Sequence, residues 1–331
     1  MNKILIFVTV ILLLVFSGCS TKKVYEPTKV DDEWEDYGSK YSQIVGLGSN
    51  IALLEDNSIL TKDGVLDIKI DKKSKLITMN DGWIITAKLD GNLTLIDVED
   101  STKRTHFSLL KTIVTANVKD NILAVIFADS EMALYDLDTK ELLFKEQGSK
   151  FSVADARVTP PYFMNDLVLF STLDGKVIII NTKLKKKLRT VIVSSEDNFN
   201  NIIYFNVIDN KIIAATGTKI LSLSSKEIRA EYEIRSIVYD GNSIFLATKQ
   251  GEIVSLTPNL ELNAKIKFPF AHALSIIAYG DKIYLLEKEG YLIIVDKDLQ
   301  NYSVHEMDVS DGYIFLDDKT FYLGDEYISV D

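Results

Sequence analysis

The chain has 331 residues, with 48 acidic against 37 basic side chains and a formal charge of −11. That balance repels phosphate backbones and anionic lipid surfaces, which argues against nucleic acid as a partner. One cysteine cannot close an internal disulfide, so Cys19 is either an incidental thiol or an acceptor for lipid.

The chain opens with Lys3, an uncharged run from Ile4 to Phe16, and the small pair Ser17-Gly18 ahead of Cys19-Ser20. The run is too short to cross a bilayer as a helix, and its flanks are those of a cleaved export leader. It resembles the bacterial lipoprotein signal, in which an aliphatic residue and two small residues precede the modified cysteine. Phe16 holds the aliphatic place here. The resemblance implies that residues 1–18 are removed as a signal peptide, that diacylglycerol goes on the Cys19 sulfur, and that an acyl chain such as palmitate goes on the new amino terminus. Two or more chains anchor stably without a transmembrane helix. Ser20 is not the aspartate associated with inner-membrane retention, which implies the periplasmic face of the outer membrane. Cleavage takes Lys3 and leaves 36 basic side chains against 48 acidic ones.

Residues 19–41 read as a lipid-anchored tether, polar throughout, with Pro27, the acidic run Asp31-Asp32-Glu33 and no sustained apolar period. A flexible tether of about twenty residues spans about 25 Å on average. Trp34 and Tyr37 have no use in a pure linker, so part of this stretch is expected to pack on the domain.

Residues 42–331 are organised by repetition. An apolar strand, a turn rich in Asp, Asn or Gly, a second apolar strand, a tight turn and a third alternating strand recur in eight copies. The clearest cover 80–97, 165–181, 240–256 and 280–296, and weaker ones cover 49–61, 120–136, 209–224 and 317–330. Aligned on the tight turn, Gly91, Ser130, Gly175, Thr218, Gly251 and Gly290 fall at intervals of 39, 45, 43, 33 and 39 residues. A further strand follows each unit, at Arg104 to Leu109, Glu141 to Glu146, Leu188 to Val193 and Glu227 to Glu233. Four antiparallel strands per unit predict an all-β chain, a β-propeller.

The second strand of each unit is nearly continuous in apolar residues, as expected where blades cover both faces. Small residues near its end (Ala87, Ala128, Ser171, Ala214, Ala247) fit a crowded convergence of blades. Eight blades are expected, with a segment of Val24 to Tyr41 supplying the outermost strand of the last blade, because Tyr313 to Val330 yields only three. Seven blades with an irregular first unit is the alternative.

The hairpins Ala247 to Leu256 and Leu89 to Asp97 resemble the PQQ-type propeller repeat, with Phe107, Phe144 or Tyr232 at strand ends where that repeat carries tryptophan. Together with the lipoprotein signal, the chain resembles the BamB family of outer-membrane lipoproteins. That resemblance implies a non-catalytic scaffold of the β-barrel assembly machinery, binding the periplasmic domains of the insertase and unfolded outer-membrane proteins. It also implies a docking surface on Ala156-Arg157-Val158-Thr159-Pro160-Pro161-Tyr162 and Ser195-Glu196-Asp197-Asn198-Phe199, with Arg157, Glu196 and Asp197 as partner-binding residues. The plain alternative for Arg157 is an ion pair with Asp155.

No enzyme chemistry stands out. His106, His272 and His305 lack metal-ligand spacing, and no nucleophile elbow, nucleotide loop or calcium loop is present. His272 reads as a satisfied histidine near the central channel. The basic run Lys183, Lys185, Lys186, Lys187 and Arg189 reads as a solvated turn. No cofactor or metal is expected. Two alternatives to the assembly scaffold stay open: a quinoprotein-like propeller enzyme, and a surface-exposed propeller that binds a ligand or acts as an adhesin.

Overall fold

Tight hairpins dictate the architecture, because residues that accept a left-handed backbone recur where the chain must reverse. In the computed structural model, which describes residues 23–39, 41–151 and 154–330, the first turn of successive units holds positive φ at Asp81-Gly82, Asp120, Asn165, Asp209-Asn210, Gly241 and Gly280. The second turn does so at Asn57, Gly91, Ser130, Gly175, Gly251 and Gly290. Gly175 is irreplaceable on two counts: its φ is +80°, and a Cβ would stand 2.5 Å from Asn200 Nδ2. The fifth unit departs from this pattern. Thr218 is not left-handed; the Thr216 hydroxyl instead accepts the backbone N–H of Thr218 and Lys219 at 3.3 and 3.2 Å.

These hairpins build eight sheets, the blades of a β-propeller, over residues 44–66, 75–108, 113–147, 162–192, 204–231, 234–267, 273–306 and 314–329. Each runs antiparallel from an inner strand at the axis to an outer strand at the rim. The expected fourth strands are present at Arg104–Ser108, Leu142–Gln147, Lys186–Ile192 and Glu227–Glu231.

The last blade supplies only three strands of its own, and the chain start completes it. Tyr37–Ser39 pairs antiparallel with Glu326–Ser329, with Tyr37 opposite Ile328. Eight blades, not seven, result, and the ring has no unpaired gap at its junction. A second pairing was not foreseen: Asp32–Glu33 runs parallel to Tyr302–Glu306 and gives blade 7 a fifth strand.

The core is divided into eight apolar clusters, one between each pair of neighbouring blades, including the closing pair 8 and 1. Burial of second strands on both faces explains their unbroken apolar sequence: Ile244–Thr248 is buried at every position. Phe107 is buried between blades 2 and 3 against Tyr135, while Phe144 and Tyr232 pack against the next interfaces. Ala87, Ser171, Ala214 and Ala247 are buried as expected, but Ala128 is exposed, because the strand Ile122–Phe127 ends one residue earlier.

Candidate functional site

The inner strands of seven blades, and for blade 4 the segment Ala156 to Pro160 that precedes its inner strand, surround an axial cavity of about 670 Å³. Its wall is mostly apolar, with Leu47, Ile77, Val114, Ile203, Ile237 and Leu274 among the contributors. Two side chains in that wall are charged, Arg157 and Arg235, and both are cations in an acidic protein.

Arg157 enters from the segment before blade 4. Pro160 and Pro161 withhold backbone donors there, so the inner strand of this blade is only Tyr162–Met164 and residues 154–160 follow an irregular path. Fully buried Asn201 staples that path: its Oδ1 accepts the Asp155 N–H at 2.6 Å, and its Nδ2 donates to the Arg157 carbonyl at 2.7 Å. Arg157 is thereby held in a fork on Asp155, with Nε to Oδ1 at 2.9 Å and Nη2 to Oδ2 at 2.6 Å. Burial alone would raise the Asp155 pKa, but the hydrogen bonds from Arg157 outweigh it and hold the carboxyl below the usual range. The third nitrogen, Nη1, donates to the Arg235 carbonyl.

Arg235 lies half-buried on the inner strand of blade 6. Its Nε is buried and makes no hydrogen bond among the described residues. Desolvation first, then the like charge of Arg157, pushes its pKa below the ordinary arginine value, while Glu233 acts the other way. Thr115 Oγ1 and Thr159 Oγ1, from residues in the same wall, are also buried without partners among the described residues.

Glu196 and Asp197 do not join Arg157 in one patch. They line a separate cavity of about 130 Å³ with Lys150, Asp174 and Asn200, and Glu196 stands 3.9 Å from Lys219. The two places are linked through the loop that carries Asn200 and Asn201, since Asn200 donates to the Ser194 and Asp174 carbonyls at 3.1 Å. Cys19 lies outside the described residues.

His272 does not line the axial cavity; its backbone N–H donates to the buried Glu287 carboxylate at 2.8 Å. Most of the basic run sits on the outer strand Lys186–Ile192 rather than in a turn, and carboxylates face it: Lys183 pairs with Asp166 at 2.8 Å and Arg189 with Glu227 at 2.6 Å. Among the described residues no three His, Cys, Asp or Glu side chains stand close enough to hold a metal ion, and no helix is long and apolar enough to cross a membrane.

Sequence reading singled out Arg157 and missed Arg235. The signal was present once the inner strands are stacked in register: Ile44-Val45-Gly46, Leu76-Ile77-Thr78, Ile113-Val114-Thr115, Ala273-Leu274-Ser275 and Ile234-Arg235-Ser236 are equivalent. An arginine stands where the other four carry an aliphatic side chain.

The plasminogen-binding protein PgbB of Helicobacter pylori strain J99 is 30% identical over a 370-residue alignment that spans 95% of this chain and 68% of that protein. The chain belongs to the PgbB family. PgbB of strain 26695 is 29% identical over the same shares of each chain. No protein-family model matches the sequence. Among solved structures, the PgbB-family fold seen here superposes on BamB from Moraxella catarrhalis with a TM-score of 0.67 and 13% identity, covering 88% of this chain and 96% of that one. It is also similar to the computationally designed Ika8 protein, with a TM-score of 0.63, 14% identity and coverage of 88% and 100%. These likenesses establish the propeller fold that the PgbB-family chain shares with BamB; at such identity they carry no function with them.

Proposed function

We propose that this PgbB-family propeller is a non-catalytic binding scaffold held by lipid at a bacterial membrane surface, and that plasminogen is its first candidate ligand. The observation that carries this reading is the 30% identity to a plasminogen-binding protein across 95% of the chain. The fold suits it, since a closed ring presents loops rigidly on two faces and needs no conformational change to bind.

The anchor would act at short range. Lys23 already lies over the Phe270 ring, 5.2 Å from its centroid, and Tyr25 is buried between blades 6 and 7. With lipid on Cys19, the four residues to Lys23 would span at most about 14 Å. The disc would sit against the membrane, which sharpens the longer reach expected of a free tether.

The test is binding of the purified protein to immobilised plasminogen, with a denatured sample as control. Saturable binding supports the reading, and its absence removes plasminogen as the ligand. Protease treatment of intact cells then decides the exposed face: loss of the domain places it outside.

The fold shared with BamB favours a second reading, a periplasmic scaffold for outer-membrane barrel assembly. It predicts protection from external protease and in-cell crosslinks from the Arg157 and Glu196–Asp197 surfaces to the insertase. A domain that is protected yet yields no such crosslink would overturn it.

A further inference from the structure

We propose that the axial channel binds a small organic acid, a carboxylate carried on an apolar body, with Arg235 as its charge partner. This goes beyond the protein-scaffold reading and stands independently of it. The inner strands of five blades bulge at one equivalent position, occupied by Val45, Ile77, Val114, Leu274 and Arg235. A bulge redirects the side chain it carries, and four of these five line the cavity. An aliphatic residue satisfies the position in every bulged blade but one, so packing does not call for a guanidinium. Placing one there without a carboxylate incurs a desolvation cost that a ligand would offset.

The charges around Arg235 leave that role open. Arg157 is already forked on Asp155, and it contributes a second positive charge beside Arg235. Among the described residues no Asp or Glu lines the cavity, and Glu233, two residues away in sequence, is exposed. The buried Nε of Arg235 and the hydroxyls of Thr115 and Thr159 are polar atoms of the wall without hydrogen-bond partners among the described residues. A monoanion matches one uncommitted guanidinium, whose planar fork suits a carboxylate. The apolar remainder of the wall fits a hydrocarbon or aromatic body, and about 670 Å³ lies in the range of small-molecule sites.

Calorimetric titration of the full mature protein with octanoate and benzoate tests this, with octanamide, benzamide and inorganic phosphate as comparators. The expected result is saturable binding of at least one acid at one site per chain, with its amide weaker by about tenfold or more. Arg235→Met should weaken the acid by at least that factor, and Arg235→Lys should restore part of it. Leu274→Glu, which sets an internal carboxylate at the equivalent bulge, should block binding without touching Arg235. The proposal is overturned if neither acid binds, if amide or phosphate binds as tightly as the acid, or if Arg235→Met or Leu274→Glu binds the acid like the parent.

Discussion

The seam that closes the ring and the axis around which it closes differ in how far their chemistry is completed within the chain. Between blades 8 and 1 the apolar cluster is small, built on Ile44, Ala52, Leu54, Leu60, Phe315 and Tyr322. The N-terminal segment adds partners around it, with the Trp34 indole donating to the Ser329 carbonyl at 3.1 Å and the Ser329 N–H reaching the Asp36 carbonyl at 2.9 Å, while from blade 1 itself the Ile44 N–H reaches the Gly324 carbonyl at 2.8 Å. At the axis a largely apolar wall holds a cation and two hydroxyls without such partners among the described residues. A finished seam indicates a region shaped for stability. Lone buried hydroxyls also occur elsewhere in the ring, at Ser130, Ser171, Ser194 and Ser310, so what sets the axis apart is that a cation is among its partnerless groups.

Removing residues 23–39 should produce the largest effect. The last blade would lose its outer strand, blade 7 its fifth, and the blade 6–7 cluster its Tyr25 ring. A loss of about 5 kcal/mol or more is expected, comparable with the whole stability of an ordinary domain. Urea unfolding should lose its single cooperative transition. A truncated domain as stable as the parent would show that the ring closes without the segment.

Tyr25→Ala isolates one contact of that N-terminal segment, at the interface of blades 6 and 7. The ring is 5% exposed and stands edge-on to Phe268 and Tyr291, with centroids 6.3 and 5.6 Å away. The expected cost is about 3–5 kcal/mol, read from the shift in urea midpoint at unchanged slope. Burial chiefly, and then the nearby Tyr302 and Glu287, push the Tyr25 hydroxyl up to about 12, so its absorbance should fail to titrate with the exposed tyrosines near pH 10.

An ion pair between blades 6 and 7 is the intermediate case. Asp240, its side chain 6% exposed, accepts Lys297 at 2.7 Å and the N–H groups of Ser243 and Asn242. Burial would raise its pKa, but these donors outweigh it and hold the carboxyl low. A depressed folded pKa gives stability that is present above the unfolded value near 3.9 and lost as pH falls through the folded one. Asp240→Asn should therefore cost about 1–3 kcal/mol at pH 7, and the gap from the parent should narrow as pH falls below the unfolded value and through the folded one. Buried Glu287 has the opposite sign, because burial raises its pKa and its contribution fades as pH rises above about 4.3. It is common to both proteins and cancels in their difference.

Much of this molecule was legible in the sequence, for reasons that also mark where legibility ends. Asp, Asn and Gly at fixed offsets announce hairpins because few residues take a left-handed backbone easily, and a last unit one strand short announces that the chain start must complete it. Thr218 marks its turn correctly between Lys211–Ala215 and Lys219–Leu223 although it is not left-handed, because a threonine hydroxyl can secure a reversal in another way. The parallel strand Asp32–Glu33 was hidden because two residues carry no period. Arg235 was hidden for a different reason. A bulge is a property of a pair of strands, so the five equivalent positions can be aligned only after the register of each blade is known.

The smallest predicted change is the one that separates axis from seam by sign. Tyr25→Ala and Asp240→Asn each remove a completed contact between blades and should destabilise. Arg235→Met removes a half-buried cation that has no carboxylate partner in the wall, keeps an unbranched side chain, and relieves the repulsion from Arg157. Replacing an uncompensated charge by an apolar group of similar length is neutral or stabilising, so the melting midpoint should hold or rise, by at most about 1 kcal/mol. Arg157→Met, by contrast, strands Asp155 and should cost about 1–3 kcal/mol. If Arg235→Met proved as costly as Arg157→Met, Arg235 would be a structural member of the ring, and the axis would be as complete as the seam.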